Sequence, residues 1–341
     1  SITRNNNGDV VTDNHSTPQE AVDAIPDGKG MAFIVARGGK SEVSDPAEAG
    51  GFELTSTLEI DGAGESRVVG TGIDTRMWGE LDGPLVRNRE EDCEIAWLWM
   101  DQFGSGNTLR LKGGNTHVHD INIDESGRIA LQDTTRVDFS NLGPYIEIKA
   151  GPVAAIQTKG NTIVHGNNLV KNSSNKTMER GIWFDKGDAM AWGNWVLQDG
   201  GSGDLFGLQL SHTGHVVLGP HYVGAIPDEE RWISGAVGPS IAAYEVRSGG
   251  ITAHGLVEDG SCGTGIRLSN DVSNVQMQGT FPSGLSVESD QTTAGGVVIE
   301  GRVGSITEGN AGNKTGVVVN GRSWNSGNPS TGGIWYGSAA K

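Results

Sequence analysis

Hydrophobic and polar residues alternate in short runs along most of the chain. The segments "MAFIVARGG", "FELTSTLEIDG" and "ESRVVGTGIDT" each follow a period of two and end at glycine or acidic residues. This alternation is typical of short β-strands joined by tight turns. Beyond Met31 no helical period persists for even about ten residues, the length of a short helix. The pattern therefore predicts an all-β architecture.

One segment near the N-terminus, "STPQEAVDAIPDG", predicts a short helix. Ser16 or Thr17 can cap its N-terminus, Pro18 fits the first turn, and Glu20 lies where a capping box places an acid. The apolar face and the end of the helix are supplied by Ala21, Val22, Ile25, Pro26 and Gly28. We expect this helix to cover the start of the β-structure.

A small motif recurs through the second half of the chain: a glycine followed by three residues, of which the first and third are apolar. The copies are "GIWF" from Gly181, "GLQL" from Gly207, "GIRL" from Gly265, "GLSV" from Gly284, "GVVV" from Gly316 and "GIWY" from Gly333. Intervals start at roughly 17 residues, and second strands such as "HVVLG" and "NVQMQG" fall between the copies. Recurrence of this kind is typical of a stacked solenoid, in which alternate side chains enter one central core.

The N-terminal third adds a resemblance to a known fold family. "TPQEAVDAIPDGKGMAFIVARGGKSE", followed by "FELTSTLEIDGAGESRVVGTGIDTRMW", resembles the entry of right-handed β-helix proteins of the pectate-lyase-like superfamily, closest in pattern to viral tailspikes. The match covers Ser16 to Trp78, with solenoid periodicity beyond it. Pectate lyases carry a WiDH-like calcium strand and an arginine motif that this chain lacks, so the resemblance implies the fold and not lyase chemistry.

Together these observations predict a single-stranded right-handed parallel β-helix with a short N-terminal capping helix. Residues 16–341 are assigned to the β-helix, and the polar, Asn-rich residues 1–15 to an N-terminal arm. The resemblance implies a homotrimer. Flat, glycine-rich solenoid faces also suit packing about a threefold axis.

The charge balance narrows the possible partners. Acidic residues number 42 against 25 basic ones, which gives a net charge of −17 without any basic block. Nucleic-acid binding requires clustered Lys and Arg and is therefore not expected. Arginine outnumbers lysine, and this composition resembles the surfaces of proteins from extreme halophiles. The longest apolar run, "IAWLWM", is too short to insert in a membrane.

The two cysteines, Cys93 and Cys262, match no zinc-binding spacing. They can pair in one disulfide, but two separately buried thiols are the favoured interpretation. We expect no cofactor and no metal.

The segment "GIWFDKGDAMAWGNWVLQDGGSGD" holds the candidate chemistry. Trp183, Trp192 and Trp195 offer flat rings for sugars, and are the predicted glycan-binding residues. Glycosidases of the inverting type use two carboxylates about 6.5–9.5 Å apart. The weak catalytic candidates are Asp185, Asp188 and Asp199, with Asp204 beside them. In so acidic a chain these residues also fit ordinary turns, and the tryptophans also fit a core or a subunit contact.

The sequence contains two further groups of polar residues with possible functions. "THVHD" places His117 and His119 on one face of a strand with Asp120 beside them, which suits either a metal ion or an exposed histidine pair. Glu258 and Asp259 in "LVEDGSCG" lie at a predicted turn, where we expect both to be solvated.

The leading functional hypothesis is a structural and adhesive protein of the virion surface. It would be a tailspike, fibre or turret of a virus that infects a halophilic archaeon, and would recognise a host surface glycan or glycoprotein. The expected partners are further copies of itself and, through the N-terminal arm, other virion proteins. Alternatives are a polysaccharide hydrolase or lyase on the same fold and a cellular surface-layer or adhesin fragment.

Overall fold

The structure is a computed structural model, and the chain divides into two compact units, unit 1 (Ser1–Val170) and unit 2 (Lys171–Lys341). The residues it describes are 2–5, 10–12, 15–25, 28–35, 50–61, 64–71, 75–112, 115–124, 129–131, 137–140, 146–148, 154–158, 161–165, 169–172, 179–198, 206–211, 214–225, 239–269, 272–287, 295–304, 306–308, 314–319 and 322–326.

The predicted helix is confirmed as α1 (Pro18–Asp23), the one helix among the described residues. Thr17, rather than Ser16, is the N-cap, and its hydroxyl accepts a hydrogen bond from the backbone N–H of Glu20. The Glu20 carboxylate accepts a hydrogen bond from the Thr17 backbone N–H, which completes the predicted capping box. The buried residues of α1 are Pro18, Ala21 and Val22. Across the described ranges, no helix reaches the length and apolar character that a bilayer crossing requires.

Unit 1 consists of short strands. They are β1 (Ile2–Asn5), β2 (Val10–Thr12), β3 (Gly28–Phe33), β4 (Phe52–Glu53), β5 (Leu58–Ile60), β6 (Gly64–Val69), β7 (Arg76–Gly79), β8 (Val86–Asn88), β9 (Glu94–Ala96), β10 (Trp99–Gln102), β11 (Leu109–Leu111), β12 (Thr116–His119), β13 (Asn122–Asp124), β14 (Ile129–Leu131), β15 (Val137–Ser140), β16 (Ile146–Ile148), β17 (Ala154–Thr158) and β18 (Thr162–His165). β19 (Leu169–Asn172) lies at the boundary between the units.

The strands of unit 1 form the predicted parallel β-solenoid, with three strands in each coil. One column of parallel pairs runs β3, β6, β9, β12, β15 and β18; a second runs β4, β7, β10, β13 and β16; a third runs β5, β8, β11, β14 and β17. Before the first coil, β1 pairs antiparallel with both β2 and β3, so part of the predicted arm is strand.

Unit 2 repeats the same architecture. Its strands are β20 (Arg180–Phe184), β21 (Ala189–Trp192), β22 (Asn194–Gln198), β23 (Phe206–Leu210), β24 (Val216–Leu218), β25 (His221–Ala225), β26 (Ala242–Val246), β27 (Ile251–Glu258), β28 (Ile266–Leu268), β29 (Ser273–Phe281), β30 (Leu285–Val287), β31 (Gly295–Val303), β32 (Ile306–Glu308), β33 (Lys314–Val319) and β34 (Arg322–Ser326).

The coils of unit 2 change as the chain proceeds. β21 and β22 stack on β24 and β25 as separate strands, and both of these then stack on the single long strand β27. β29 and β31 continue as long parallel strands, and β33 ends in an antiparallel pair with β34. A third column runs β20, β23, β26, β28, β30 and β32.

In-register stacking turns alternation along the sequence into buried columns. In the third column of unit 2, Ile182, Leu208, Tyr244, Ile266 and Leu285 occupy one buried row. Cys93 and Cys262 are both free and buried, as the favoured interpretation of the cysteines predicted.

The recurrent glycine motif marks this third column. Gly181 aligns with Gly207, and Gly265 with Gly284, at the residue before each buried row. A Cβ at Gly207 would overlap the Val223 side chain and approach a backbone carbonyl of the next coil. The coil between Gly207 and Gly265 has Ala243 at this position, so its sequence does not match the glycine motif. "GVVV" instead forms part of β33, and "GIWY" lies outside the described residues.

Some corners between the first and second strands of a coil have left-handed backbone, although the aligned corner between Gly193 and Gly255 is occupied by Pro220. Gly193 and Gly255 adopt φ of 71° there in unit 2. In unit 1 the register Ala96 to His119 places Trp97 opposite Asp120, with φ of 59° and 48°. A side chain in this conformation costs about 1–2 kcal/mol relative to glycine, and a bulky one is rare.

The glycine column gives a first test. We expect Gly207→Val to lower the free energy of unfolding by about 2 kcal/mol or more, because added atoms would press on Val223 and separate two coils. The matched control is Ala243→Gly in the same column, for which we expect a loss of about 1 kcal/mol or less. Chemical denaturation of both variants measures the difference, and equal losses would contradict the packing role of the column.

Candidate functional site

An exposed apolar face covers the outward side of the first and second strand columns of unit 2. Most of the large hydrophobic side chains that are exposed among the described residues lie on it, namely Met190, Trp192, Trp195, Val217 and Val257. The register stacks Met190 on Val217, and Trp195 on Tyr222 and then Val257. We call these six side chains the aromatic face.

The six side chains of the aromatic face are uncharged, and two exposed polar side chains border them: His254 lies in the row of Trp192, and Asp259 accepts a hydrogen bond from Tyr222. In the five strands that build it, the only Asp, Glu, Lys or Arg is Glu258, whose exposed fraction is 1%. The chain as a whole carries a net charge of −17. An exposed apolar patch on so acidic a protein is typical of a binding surface.

Two aromatic rings from adjacent coils lie side by side on this face. The ring centroids of Trp195 and Tyr222 are 5.0 Å apart, with an angle of 31° between the planes. The Tyr222 hydroxyl donates a hydrogen bond of 3.2 Å to Oδ2 of Asp259. Burial and the nearby Asp259 charge raise the pKa of Tyr222 to about 12, so the hydroxyl keeps its proton and stays a donor.

Glycines fix the backbone beneath the aromatic side chains. A Cβ at Gly219 would lie 2.8 Å from the Cβ of Trp192, and Gly193 makes the left-handed turn directly after Trp192. A Cβ at Gly224 would overlap the Asp259 carboxylate, which accepts the N–H of Ala225 at 2.9 Å. The face is therefore held by backbone geometry as well as by packing.

A buried histidine supports the aromatic pair from inside. His221 precedes Tyr222, is 3% exposed, and stacks on Asn194, the residue before Trp195. Its Nδ1–H donates to the carbonyl of Gly219 at 2.8 Å, and its Nε2 accepts from Nδ2 of Asn194 at 3.0 Å. Burial lowers the pKa of His221 to about 4, so the ring is neutral near pH 7.

The expectation that Glu258 is solvated is wrong. Its carboxylate accepts hydrogen bonds from the N–H of Gly260 at 2.5 Å, the N–H of Ser283 at 2.9 Å and the hydroxyl of Ser283 at 2.8 Å. Ser283 belongs to the next coil. Its N–H and hydroxyl groups therefore supply the hydrogen bonds that water would make to Glu258 in an isolated turn. Asp259 is exposed, as expected.

Glu258, Asp259 and Cys262 have potential metal-ligand atoms within 4.8 Å of one another. Both carboxylates already accept backbone N–H groups, Glu258 from Gly260 and Asp259 from Ser261. Burial raises the pKa of the Cys262 thiol, which keeps it protonated and a poor ligand. We interpret this trio as a network that stabilises a turn.

The structure separates Trp183 from the other two predicted glycan-binding tryptophans. Trp183 lies in β20, in the third column, and is half-buried. Its Nε1–H donates to the hydroxyl of Ser211 at 2.6 Å, and the Arg180 guanidinium lies 4.7 Å from its ring centroid. Trp192 and Trp195 share the aromatic face, and Trp183 does not belong to it.

The catalytic candidates are only partly described. Asp185 and Asp188 lie in the turn between β20 and β21, and Oδ1 of Asp188 accepts the N–H of His215 in the next coil at 2.7 Å. Asp199 and Asp204 lie outside the described residues. A catalytic pair here stays a prediction.

A buried acid in the third column escaped the sequence analysis. Glu245 is fully buried, and its Oε1 contacts Nη2 of Arg247 at 2.9 Å and the hydroxyl of Ser269 at 3.3 Å. Arg267, stacked directly on Glu245, lies 4.0 Å away. A lone Glu in an alternating strand predicts solvent exposure, and only the partners supplied by the next coil reveal the cluster.

The histidines of unit 1 share one face of β12, as predicted, with ring centroids 4.4 Å apart. Nδ1 of His119 lies 2.8 Å from Oδ2 of Asp120, and its Nε2 lies 3.1 Å from Oε1 of Glu94. Arg67 contacts the other Glu94 oxygen at 3.2 Å. The result is a polar network that joins three coils.

Sequence analysis also missed two aromatic residues, Tyr222 and Trp97. The coil register aligns Tyr222 with Trp195, an alignment that the irregular loop lengths obscure. Trp97 lies within "IAWLWM", where its neighbours Ala96 and Leu98 are buried and its own side chain is 46% exposed. Strict alternation fails in this run, because Ile95 and Ala96 are both buried and the left-handed corner at Trp97 changes the phase.

The fold and this surface define a class: parallel β-solenoid proteins that expose an apolar, aromatic face. No protein-family model and no curated protein matches the chain. Among solved structures it is similar to ORF18 of Geobacillus virus E2, with a TM-score of 0.42 and 13% identity over 93% of this chain and 62% of that one. The chain thus spans less than two thirds of that protein, and a likeness this weak does not establish a family.

The buried His221 predicts a dependence of stability on pH. Above pH 6.5 both states are neutral at this residue, whereas between pH 6.5 and about 4 only the unfolded chain binds the proton. We therefore expect the native protein to lose about 3 kcal/mol across this interval relative to His221→Asn, which lacks the titrating ring. Parallel denaturation curves measure the difference, and identical pH slopes would contradict it.

Proposed function

We propose that this protein is a virion surface adhesin, a tailspike, fibre or turret of a virus that infects a halophilic archaeon. The aromatic face of unit 2 binds a glycan of the host surface, either free or carried by a glycoprotein. The solenoid fold is compatible with a virion surface protein. The acidic, arginine-favouring composition supports a high-salt environment.

The observation that carries the proposal is the exposed aromatic face itself. Trp195 and Tyr222 present neighbouring rings on a regular parallel ladder, and Trp192 lies on the same outward side. Rings of this kind supply large contact area with little loss of side-chain freedom, and Tyr222 adds a polar group at the edge. Sugar rings offer matching apolar faces together with hydroxyl groups.

High salt favours this mode of recognition over charge pairing. At 1 M salt the screening length falls to about 3 Å, so interactions between exposed charges are largely lost. Apolar contact does not depend on charge and is not screened. A binding face whose contacts are mainly apolar therefore keeps its affinity in brine.

The glycan proposal is tested with Trp195→Ala. We expect at least tenfold weaker binding to a purified haloarchaeal surface glycoprotein in molar salt, because one of the two paired rings of the face is removed. Surface plasmon resonance measures the affinity, and chemical deglycosylation of the same glycoprotein should abolish wild-type binding.

The matched control is Trp183→Ala. It removes a tryptophan that lies in the third column, outside the aromatic face, and it should leave the affinity within about twofold. Binding that survives deglycosylation would mean that the face recognises protein and would overturn the glycan proposal. Release of reducing ends that is lost in Asp188→Asn would instead indicate the hydrolase hypothesis.

We also propose that the protein assembles as a homotrimer, with the N-terminal arm contacting other virion proteins. Light scattering in molar salt should give three times the chain mass of 35.7 kDa. Lowering the salt should dissociate or unfold the trimer, because the acidic subunits then repel one another. A monomer indifferent to salt would contradict this assembly.

The same measurement separates the two uses of the aromatic face. Trp195→Ala should remain a trimer if the face binds glycan. A monomeric Trp195→Ala protein would show that the face is the subunit contact and would overturn its assignment to the host.

A further inference from the structure

Trp97 occupies a backbone position that disfavours it. It forms the corner after β9 with φ of 59°, and the coil register places Asp120 at the same corner one coil later. Gly193 and Gly255 make left-handed corners in unit 2. Glycine, asparagine and aspartate tolerate this conformation, whereas a bulky side chain there is a rare outlier.

Core packing does not explain the tryptophan. Its side chain is 46% exposed, while its neighbours Ala96 and Leu98 are buried. The Trp97 ring meets His119 edge to face, with centroids 6.2 Å apart and an interplanar angle of 83°. Strained residues that persist without a packing role concentrate at binding and catalytic sites.

A polar network lies against this ring. Oδ2 of Asp120 lies 2.8 Å from Nδ1 of His119, and Oε1 of Glu94 lies 3.1 Å from Nε2 of His119. Nε of Arg67 lies 3.2 Å from Oε2 of Glu94. These groups come from three successive coils, so the backbone ladder fixes their spacing. The Asp120 and Glu94 side chains are each 28% exposed.

We infer that Trp97, His119, Glu94 and Asp120 form a sugar-binding site in unit 1. The site would take a neutral sugar, whose apolar face stacks on Trp97 and whose vicinal hydroxyls bond to the Glu94 and Asp120 carboxylates. The carboxylates, on a chain of net charge −17, disfavour anionic sugars. The inference does not rest on the aromatic face, because none of these residues lies in unit 2.

The decisive variant is Trp97→Gly. Glycine adopts the corner without strain, so we expect the melting temperature to stay the same or rise. Without the ring, affinity for a neutral oligosaccharide should fall at least about tenfold. The full-length protein is titrated calorimetrically in molar salt with mannohexaose and maltohexaose, and with polygalacturonate as the anionic probe.

Two further variants separate a binding role from a structural one. Glu94→Gln should weaken binding at least about fivefold, because its amide group replaces one acceptor oxygen with a donor. Trp195→Ala should leave this affinity unchanged, so failure of the aromatic face and failure of this site are distinguishable.

Several outcomes would overturn the inference. They are binding of neither neutral probe by the wild type, preference for polygalacturonate, unchanged affinity in Trp97→Gly, and a markedly lower melting temperature of that variant, which would make the ring structural. Abolition of binding by EDTA would indicate a metal site in place of a sugar site. Loss of affinity in Trp97→Gly with an unchanged or higher melting temperature would support it.

Discussion

The hydrogen-bonded register between coils is the constraint on which the rest of the molecule depends. Each residue lies about 4.8 Å from its counterpart one coil later, so every position along a strand becomes part of a column. The size and polarity of one residue in a column therefore constrain those of its neighbours. The glycines before the buried row, the ring pair of Trp195 and Tyr222 and the stacked pair of Asn194 and His221 are three results of the same register.

Features encoded locally were predictable from the sequence. The helix followed from Thr17, Pro18 and Glu20, since a capping box lies within a few residues. The solenoid followed from period-two alternation and the recurrent glycine. The coil that contains Ala243 escaped notice because the column requires a small residue, and alanine satisfies that requirement without matching the motif.

The surface was less predictable, because exposure depends on neighbours that are distant in sequence. Glu258 and Glu245 are both buried by groups from the following coil, Ser283 for one and Arg267 with Ser269 for the other. Trp183 lies close to Trp192 in sequence, yet the coil bends between their strands and places them in different columns. Loops of unequal length hide this register, so it cannot be counted from the sequence alone.

The three-strand coil of unit 2 has an evolutionary consequence. Because a coil contacts only its two neighbours, duplication of the segment that encodes one coil inserts a complete layer without redesign of the core. Each duplication that includes the strands of Trp195 or Tyr222 would lengthen the ladder of rings by about 4.8 Å. Such a surface can lengthen by whole coils to fit a longer polymer. The sequence of each added coil can then diverge separately.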